Sequence, residues 1–256
     1  MRIGLAMGIV CLLGACGGDG SEPEGGAGAG FRVQVVPNEA GAGREVVTFQ
    51  ADDGTSFTVL EARAAFRHVE LKLPDGIRCS DVEVADPLRC DDDDDGERDD
   101  GSSAKLVVEG PFVVDLLTGE TTPDLSTARV PTGVYERVDY RIEDADPEDG
   151  VVAASDPLAG VSLVLRATSD RGSLTVRLRF NEDVRIEAPA GIEVASDGAL
   201  VAALRLDAWF DDVPLSECIE EAGGDVVIDE DASGECGDLE PALKDNIKNS
   251  GQLLGE

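Results

Sequence analysis

The stretch RHVELKL, residues 67–73, decides the fold class of this chain. From Val69 onward every second side chain is apolar, and the polar residues between and before them are His68, Glu70 and Lys72. A period of two is typical of a β-strand with one face in a core and the other in water. His68 falls on the polar face, so we interpret it as a surface histidine rather than a catalytic or metal-binding one.

The same alternation recurs along most of the chain, in short runs separated by Gly, Pro and Asp. The tetrapeptide Asp52-Asp53-Gly54-Thr55 predicts a hairpin turn, because glycine accepts the positive φ that such turns need. Many short strands with few helical patterns predict an all-β protein built as an antiparallel β-sandwich. The further predicted strands are residues 31–36, 44–50, 56–60, 105–109, 111–117, 134–142, 161–168, 173–180, 184–187 and 200–210.

Only the tail of the chain has a helical pattern. Leu239, Leu243 and Ile247 recur at four-residue spacing and predict a short C-terminal helix over about 239–250, which could cover an open sheet edge. Pro241 falls in the first turn of this helix, where its missing N–H costs little.

Residues 1–15 are typical of an export signal, with a charged start, an apolar core and a small-residue exit. They are too few for a transmembrane helix, which needs roughly 20 apolar residues. The stretch Leu13-Gly14-Ala15-Cys16 resembles the lipobox of bacterial lipoproteins. That resemblance implies cleavage before Cys16, a diacylglycerol on its sulfur and acylation of the new amino group, so that lipid anchors the protein to a membrane. The alternative is an ordinary or uncleaved secretory leader in which Cys16 has no role.

Residues 16–30 are rich in glycine and predict a flexible tether, because they offer no side chains for a core. Gly17 follows the lipobox cysteine, which by resemblance to enterobacterial lipoproteins favours the outer over the inner membrane. Residues 31–256 are then long enough for a single β-sandwich domain in an extracytoplasmic location.

The chain carries 54 acidic and 21 basic residues, a formal net charge of −33. Such a surface repels nucleic-acid backbones and anionic lipid headgroups and favours cationic partners. We therefore expect no nucleic-acid binding, and contact with the membrane only through the lipid. Solubility at an exposed, saline location is the other interpretation of this charge.

Four cysteines remain after the leader and Cys16, namely Cys79, Cys90, Cys218 and Cys236. An even number in an exported chain predicts disulfides, with three pairings open. We favour Cys79 with Cys90 and Cys218 with Cys236, because each pair closes a short loop between strands. Loops of this length gain about 3 kcal/mol in the chain-entropy model. Zinc binding is the rival interpretation, but no CxxC or Cys/His pattern supports it.

The acidic loop 91–102 contains the sharpest chemical signal. It follows the pattern D-x-D-x-D-G-x-x-D, in which calcium-binding loops place carboxylates two residues apart around a sharp glycine turn. Ser102 stands where a bidentate acid is usual, which weakens the site. A solvated acidic loop without Ca²⁺ is the alternative. The predicted calcium ligands are Asp91, Asp93, Asp95 and Asp99, and the turn residue is Gly96.

Two further stretches have both a structural and a binding interpretation. Residues 225–235 predict a hairpin with a charged tip, or else a second cation site between Cys218 and Cys236. Trp209 and Phe210 precede two aspartates. They are either core residues or a platform on which a sugar ring stacks.

Three segments resemble a bacterial lipoprotein family that is known only as a domain of unknown function, the 4382 group. They are ARAAFRHVELKL (62–73), GPFVVDLLT (110–118) and VPTGVYERVDYRI (130–142). Within the last segment, Pro131-Thr132-Gly133-Val134-Tyr135 resembles the Pro-x-Gly-x-Tyr strand entry of transthyretin-like and other immunoglobulin-like sandwiches. The resemblance implies such a sandwich on a surface lipoprotein, and it brings no catalytic residues.

The sequence shows no nucleophile elbow, Walker loop, dinucleotide fingerprint or His-rich metal motif. We therefore expect a non-catalytic binding or structural module, stabilised by Ca²⁺ if the acidic loop binds it. A carbohydrate-binding module of the cell envelope is the alternative, and a carboxylate-dependent envelope hydrolase is the third hypothesis. The residues single out neither a particular protein or glycan ligand nor an oligomeric state.

Overall fold

A computed structural model describes residues 28–36, 46–73, 76–84, 86–92 and 104–255. The predicted leader, Cys16, most of the predicted tether and three of the four predicted calcium ligands (Asp93, Asp95 and Asp99) lie outside the described residues. Within those ranges the chain is mostly β-sheet, with a short C-terminal helix.

The described strands are β1 (Ala29–Val36), β2 (Thr48–Gln50), β3 (Ser56–Lys72), β4 (Leu88–Asp91), β5 (Lys105–Asp115), β6 (Thr121–Thr122), β7 (Arg129–Val130), β8 (Gly133–Ile142), β9 (Leu163–Ser169), β10 (Gly172–Leu178), β11 (Glu182–Val194), β12 (Ala199–Arg205), β13 (Val226–Ile228) and β14 (Gly251–Gly255). The described α-helices are α1 (Leu206–Trp209), α2 (Leu215–Ala222) and α3 (Leu239–Asn249).

A ten-stranded sheet is organised around β3, which contains the deciding stretch. β3 is 17 residues long and pairs antiparallel with β2, β5, β8 and β9 along different parts of its length. Val69 and Leu71 are fully buried, whereas His68 is partly exposed, as the alternation predicts. The strand order is β11-β8-β3-β9-β10-β13, and β5 carries β4 and β6 on a branch from β3.

The second sheet has four strands in the order β14-β12-β1-β7. β1 and β12 pair parallel over seven residues, and β10 and β13 also pair parallel. The expectation of a purely antiparallel arrangement is therefore wrong at these two pairs. Side-chain alternation carries no information on strand direction. The continuous apolar run 199–204 is typical of a strand that is buried on both faces, but it does not specify which strand becomes its partner.

One apolar core joins the two sheets. It contains side chains of the four-stranded sheet, such as Val33 and Leu204, together with side chains of the ten-stranded sheet, such as Phe66 and Tyr140. A smaller cluster on the outer face of the larger sheet packs Ala65 and its neighbours under residues 145–161. Part of the face that alternation assigns to water is therefore covered by a loop.

The C-terminal helix is confirmed as α3, which buries Leu239, Leu243 and Ile247. It packs against α1, and the strand that follows it, β14, forms the edge of the four-stranded sheet. Neither α1 nor β14 was expected. The predicted strand 200–210 ends at Arg205, and α1 begins at Leu206.

The predicted hairpin over residues 225–235 is wrong. Only Val226–Ile228 is a strand, and it pairs with β10 rather than with a hairpin partner. Cys218 lies on the helix α2, whose side chains Leu215 and Ile219 are buried. With only two turns, this helix is too short for a clear helical period in the sequence.

Candidate functional site

A groove of about 1100 Å³ lies between the four-stranded sheet and one end of the ten-stranded sheet. Its walls are the start of β1, the end of β5, the turn and loop after β5, and the loop before β12. The ionisable side chains in its lining are Asp115, Glu120, Asp124, Asp156 and Asp197, with Arg32, Arg63 and Arg129. A concave polar surface of this size is where a ligand or an extended chain can bind.

The turn after β5 is fixed by local hydrogen bonds. Asp115 accepts through Oδ1 from the backbone N–H of Leu117 at 2.9 Å and of Thr118 at 3.1 Å. Gly119 has φ +75° and donates its N–H to the Asp115 carbonyl at 2.7 Å. A Cβ at Gly119 would lie 3.8 Å from the carbonyl oxygen of Val33, so this turn rests against β1.

An ion pair closes one wall of the groove. The Arg63 guanidinium, on β3, donates to both carboxylate oxygens of Asp156, at 3.0 and 2.7 Å. Arg63 Nε also donates to Glu61 at 2.8 Å. The hydrogen bond from Arg63 holds the pKa of Asp156 below its usual range, and the same contact raises the pKa of Arg63. Both side chains of the pair are 21% exposed, so each charge is largely neutralised by the other.

Arg129 occupies the opposite rim. Its Nη1 donates to the backbone carbonyls of Ser126 at 2.8 Å and Ala128 at 3.0 Å, and it has no carboxylate partner among the described residues. Asp124 accepts from the backbone N–H of Ser126 at 2.8 Å, which lowers its pKa. Glu120, Asp124 and Asp197 are exposed. The rim thus presents more negative than positive charge.

The structure places only the base of the predicted calcium loop. Cys79 and Cys90 form a disulfide with 5.5 Å between their Cα atoms. Asp91, the first predicted ligand, ends β4 opposite Lys105 and lies 3.4 Å from Arg89 Nη1. The loop between β4 and β5 is therefore closed at its base by the β4–β5 pairing, and the disulfide ties β4 to the preceding segment at Cys79. Asp93, Asp95 and Asp99 fall outside the described residues, and within those described no group of three acidic, His or Cys side chains has a metal-binding arrangement.

The second disulfide, between Cys218 and Cys236, ties α2 to the turn before α3 and is buried. Around it, the carboxylates of the second acidic patch make separate contacts instead of converging. Asp225 accepts from the N–H and the hydroxyl of Ser173, which lowers the pKa of Asp225. Glu230 pairs with Arg179 at 3.0 Å. These contacts favour a structural role for the patch.

Trp209 and Phe210 are core residues. Trp209 is 1% exposed, and its Nε1 donates to Ser250 Oγ at 3.0 Å. Phe210 stacks on Phe49 with 4.0 Å between ring centroids. These two rings therefore form no exposed platform for a sugar, and the hypothesis of a carbohydrate-binding site at this position is wrong.

The groove was not found from the sequence. The sequence does contain a local signal here, because an Asp followed four residues later by a Gly, as in Asp115 and Gly119, is typical of a turn. However, the juxtaposition of that turn with residues 196–198 and with β1 follows from the parallel pairing of β1 with β12, which no local pattern encodes.

Comparison with known proteins found no match for this chain among family models, curated proteins or solved structures. No helix in the described ranges is long and apolar enough to span a bilayer.

Proposed function

We propose that this protein is a non-catalytic binding module, held outside the cytoplasm by a lipid on Cys16. The groove beside β1 carries the proposal, because it is a built concave surface with exposed charged groups and a rigid sheet on each side. Export is supported by the lipobox, by the −33 charge and by two disulfides, which persist in oxidising compartments. Gly17, which follows the proposed lipidated cysteine, favours the outer membrane as the location of the anchor.

The relation to immunoglobulin-like or transthyretin-like sandwiches belongs to this proposal. It is supported by Tyr135, at the strand entry that carries the Pro-x-Gly-x-Tyr resemblance. The Tyr135 hydroxyl donates to the carbonyl oxygen of Pro131 at 2.7 Å, four residues upstream. A tyrosine that bonds back to the backbone at a strand entry is a recurrent feature of immunoglobulin-like domains.

Calcium binding by the acidic loop is also part of the proposal. The β4–β5 pairing, which sets Asp91 opposite Lys105, supports it, because fixing the two ends of a loop lowers the entropy cost of gathering its carboxylates around an ion. The ligand set remains Asp91, Asp93, Asp95 and Asp99.

Mass spectrometry of the protein produced in a lipoprotein-processing bacterium tests the anchor. We expect loss of residues 1–15 and acyl chains on Cys16, with partition into the detergent phase. A Cys16→Ser variant is the matched control, and it should keep its leader and remain unacylated. An intact Met1 with an unmodified Cys16 in the wild type would contradict the proposed anchoring.

A further inference from the structure

The guanidinium of Arg129 is held in place through one of its three nitrogens. Arg129 lies on β7 and lines the groove. Its Nη1 donates to the carbonyl oxygens of Ser126 and Ala128, at 2.8 and 3.0 Å, which orients the side chain. Among the described residues, no group accepts a hydrogen bond from its Nε or its Nη2. These two nitrogens form an edge of the guanidinium that can bind a carboxylate through two parallel hydrogen bonds.

The sheet surface beside Arg129 is open. Gly30, on β1, lines the groove and lies opposite Arg129 on one side and opposite Ala199 on the other. Residues in register on neighbouring strands turn their side chains to the same face. A Cβ at Gly30 would have only the Cβ of Ala199 at 3.7 Å and the carbonyl oxygen of Gly198 at 3.9 Å near it, apart from its chain neighbours. Gly30 and Ala199 therefore form a floor on which a ligand can lie next to the guanidinium.

Asp197 borders the same floor on the side away from Arg129. It directly precedes Gly198, whose carbonyl oxygen accepts the N–H of Gly30 at 3.0 Å. The Asp197 side chain is exposed, lines the groove, and makes no hydrogen bond or ion pair with a described residue. Because β1 separates β7 from β12, the backbones that carry Arg129 and Asp197 are about 10 Å apart. A cation and an anion with free bonding groups thus lie on opposite sides of one open floor.

The other charges of the groove exclude a purely anionic ligand. Of the two remaining basic side chains in the lining, Arg63 is paired with Asp156, and Arg32 also has an interaction partner. Two further acidic side chains in the lining, Glu120 and Asp124, are exposed, in a chain of net charge −33. A ligand that brings a carboxylate to this groove must therefore also bring positive charge.

We infer that the groove binds a short peptide with free ends. Its terminal carboxylate pairs with the Nε and Nη2 of Arg129, and its terminal ammonium group lies beside the carboxylate of Asp197. About three residues of extended chain, at roughly 3.5 Å per residue, span the 10 Å or so between the two strands. This inference rests on the proposed function as a binding module and names the ligand class of the groove.

The probe is a randomised pool of tripeptides with free ends. It is applied to the immobilised protein at low ionic strength, and the retained peptides are measured by mass spectrometry. Two modified pools are the matched controls, one amidated at the C-terminus and the other acetylated at the N-terminus. We expect amidation to lower retention about tenfold, because it removes a charge-assisted pair of hydrogen bonds. Acetylation should lower retention as well. Equal retention of the free and the amidated pools, or no retention of the free pool, would overturn the inference.

Substitutions assign each end of the peptide to its partner. Arg129→Gln removes the charge but keeps an NH₂ donor for the neighbouring carbonyls, and it should reduce retention of the free pool to the level of the amidated pool. Arg129→Lys keeps the charge without the planar edge and should restore only part of the binding. Arg185→Gln removes the same charge at an exposed position outside the groove lining and should bind like the wild type. A folded Arg129→Gln variant that still discriminates against the amidated pool would contradict the assignment.

Asp197→Asn tests the other end independently, since its side chain has no described partner to lose. It should remove the difference between the free and the acetylated pools and keep the difference between the free and the amidated pools. Circular dichroism and thermal denaturation verify that each variant is folded. An Asp197→Asn variant that distinguishes all three pools as the wild type does would contradict the placement of the ammonium group.

A parallel screen against neutral polysaccharides separates this inference from the proposed function. Retention of a polysaccharide without retention of the free tripeptides would overturn the peptide inference and leave the binding module standing. Retention of neither would remove both.

Discussion

The carboxylate of Asp52 accepts two hydrogen bonds from Ser216, which lies 164 residues further along the chain. The backbone N–H of Ser216 is 2.8 Å from Oδ1, and its hydroxyl is 2.5 Å from Oδ2. Ser216 is the second residue of α2, whose own N-cap residue, Pro214, makes no side-chain cap. Asp52 thus caps this helix from a β-hairpin, and its charge lies at the positive end of the helix dipole.

Removal of this cap should destabilise the fold. Asp52→Ala leaves the N–H of Ser216 without its acceptor, and caps of this kind contribute about 1 kcal/mol. We expect a decrease in Tm of roughly 2 to 4 °C in thermal denaturation for a domain of this size. Asp52→Asn is the matched control, because it keeps an acceptor and should lose less. A Tm for Asp52→Ala equal to that of the wild type would contradict the capping role.

The Asp52–Ser216 contact also shows which parts of the fold are predictable. The hairpin turn that holds Asp52 was predicted from Gly54, which has φ +83°, and the alternation of residues 67–73 correctly gave the buried face of β3. These features depend on neighbours in the sequence. α2 was missed because its two turns show too little of the helical period, and its cap comes from a distant segment.

The parallel pairings and the groove could not be predicted from the sequence, for a related reason. Period-two alternation determines which side chains face the core, but not which strands become neighbours. β1 and β12 are separated by more than 160 residues, and their pairing is what brings Gly198 and Gly119 into the lining of one groove. The sequence left Trp209 and Phe210 with two interpretations, because the contacts that bury them, with Ser250 and Phe49, come from distant segments.

Removal of the hydroxyl group should change the free energy of unfolding differently at the two buried tyrosines of β8. Tyr140 is 1% exposed, and its hydroxyl has no hydrogen-bond partner among the described residues, whereas the Tyr135 hydroxyl donates to Pro131. Tyr140→Phe should leave the free energy of unfolding unchanged or raise it, because an unsatisfied buried polar group is removed. Tyr135→Phe should lower it by about 1 kcal/mol. Urea denaturation of both variants measures this, and equal losses of stability would contradict the assignment.

The Arg63–Asp156 pair makes stability depend on pH in the acid range. The pKa of Asp156 is held below the ordinary value of 3.8 by the hydrogen bonds from Arg63. A carboxyl group with a depressed folded-state pKa stabilises the fold fully well above pH 3.8. That contribution decreases as the pH falls from 3.8 towards the folded-state pKa, and it is lost below it.

We therefore expect Asp156→Asn to unfold at lower urea concentration than the wild type at neutral pH, with the difference shrinking below pH 3.8. Asp183→Asn is the control, because Asp183 is 71% exposed in its pair with Arg141 and exposed pairs contribute little. A difference between Asp156→Asn and the wild type that stays constant into the acid range would contradict the linkage.

Calcium should stabilise the protein through the acidic loop whose base is closed by the pairing of β4 with β5. Because the bidentate acid is missing, we expect an affinity at the weak end of the range for extracellular calcium modules, a Kd of about 1 mM. At about 10 mM Ca²⁺ the gain in unfolding free energy is then about 1.4 kcal/mol, or roughly 3 to 6 °C in Tm. Asp93→Asn combined with Asp95→Asn should abolish the shift, whereas Asp229→Asn with Asp231→Asn, in the second acidic patch, should preserve it.

Magnesium at the same concentration controls for screening of the −33 charge, because it neutralises a diffuse field equally well but prefers a tighter octahedral site. Equal Tm shifts with both ions would assign the effect to screening and remove the calcium site.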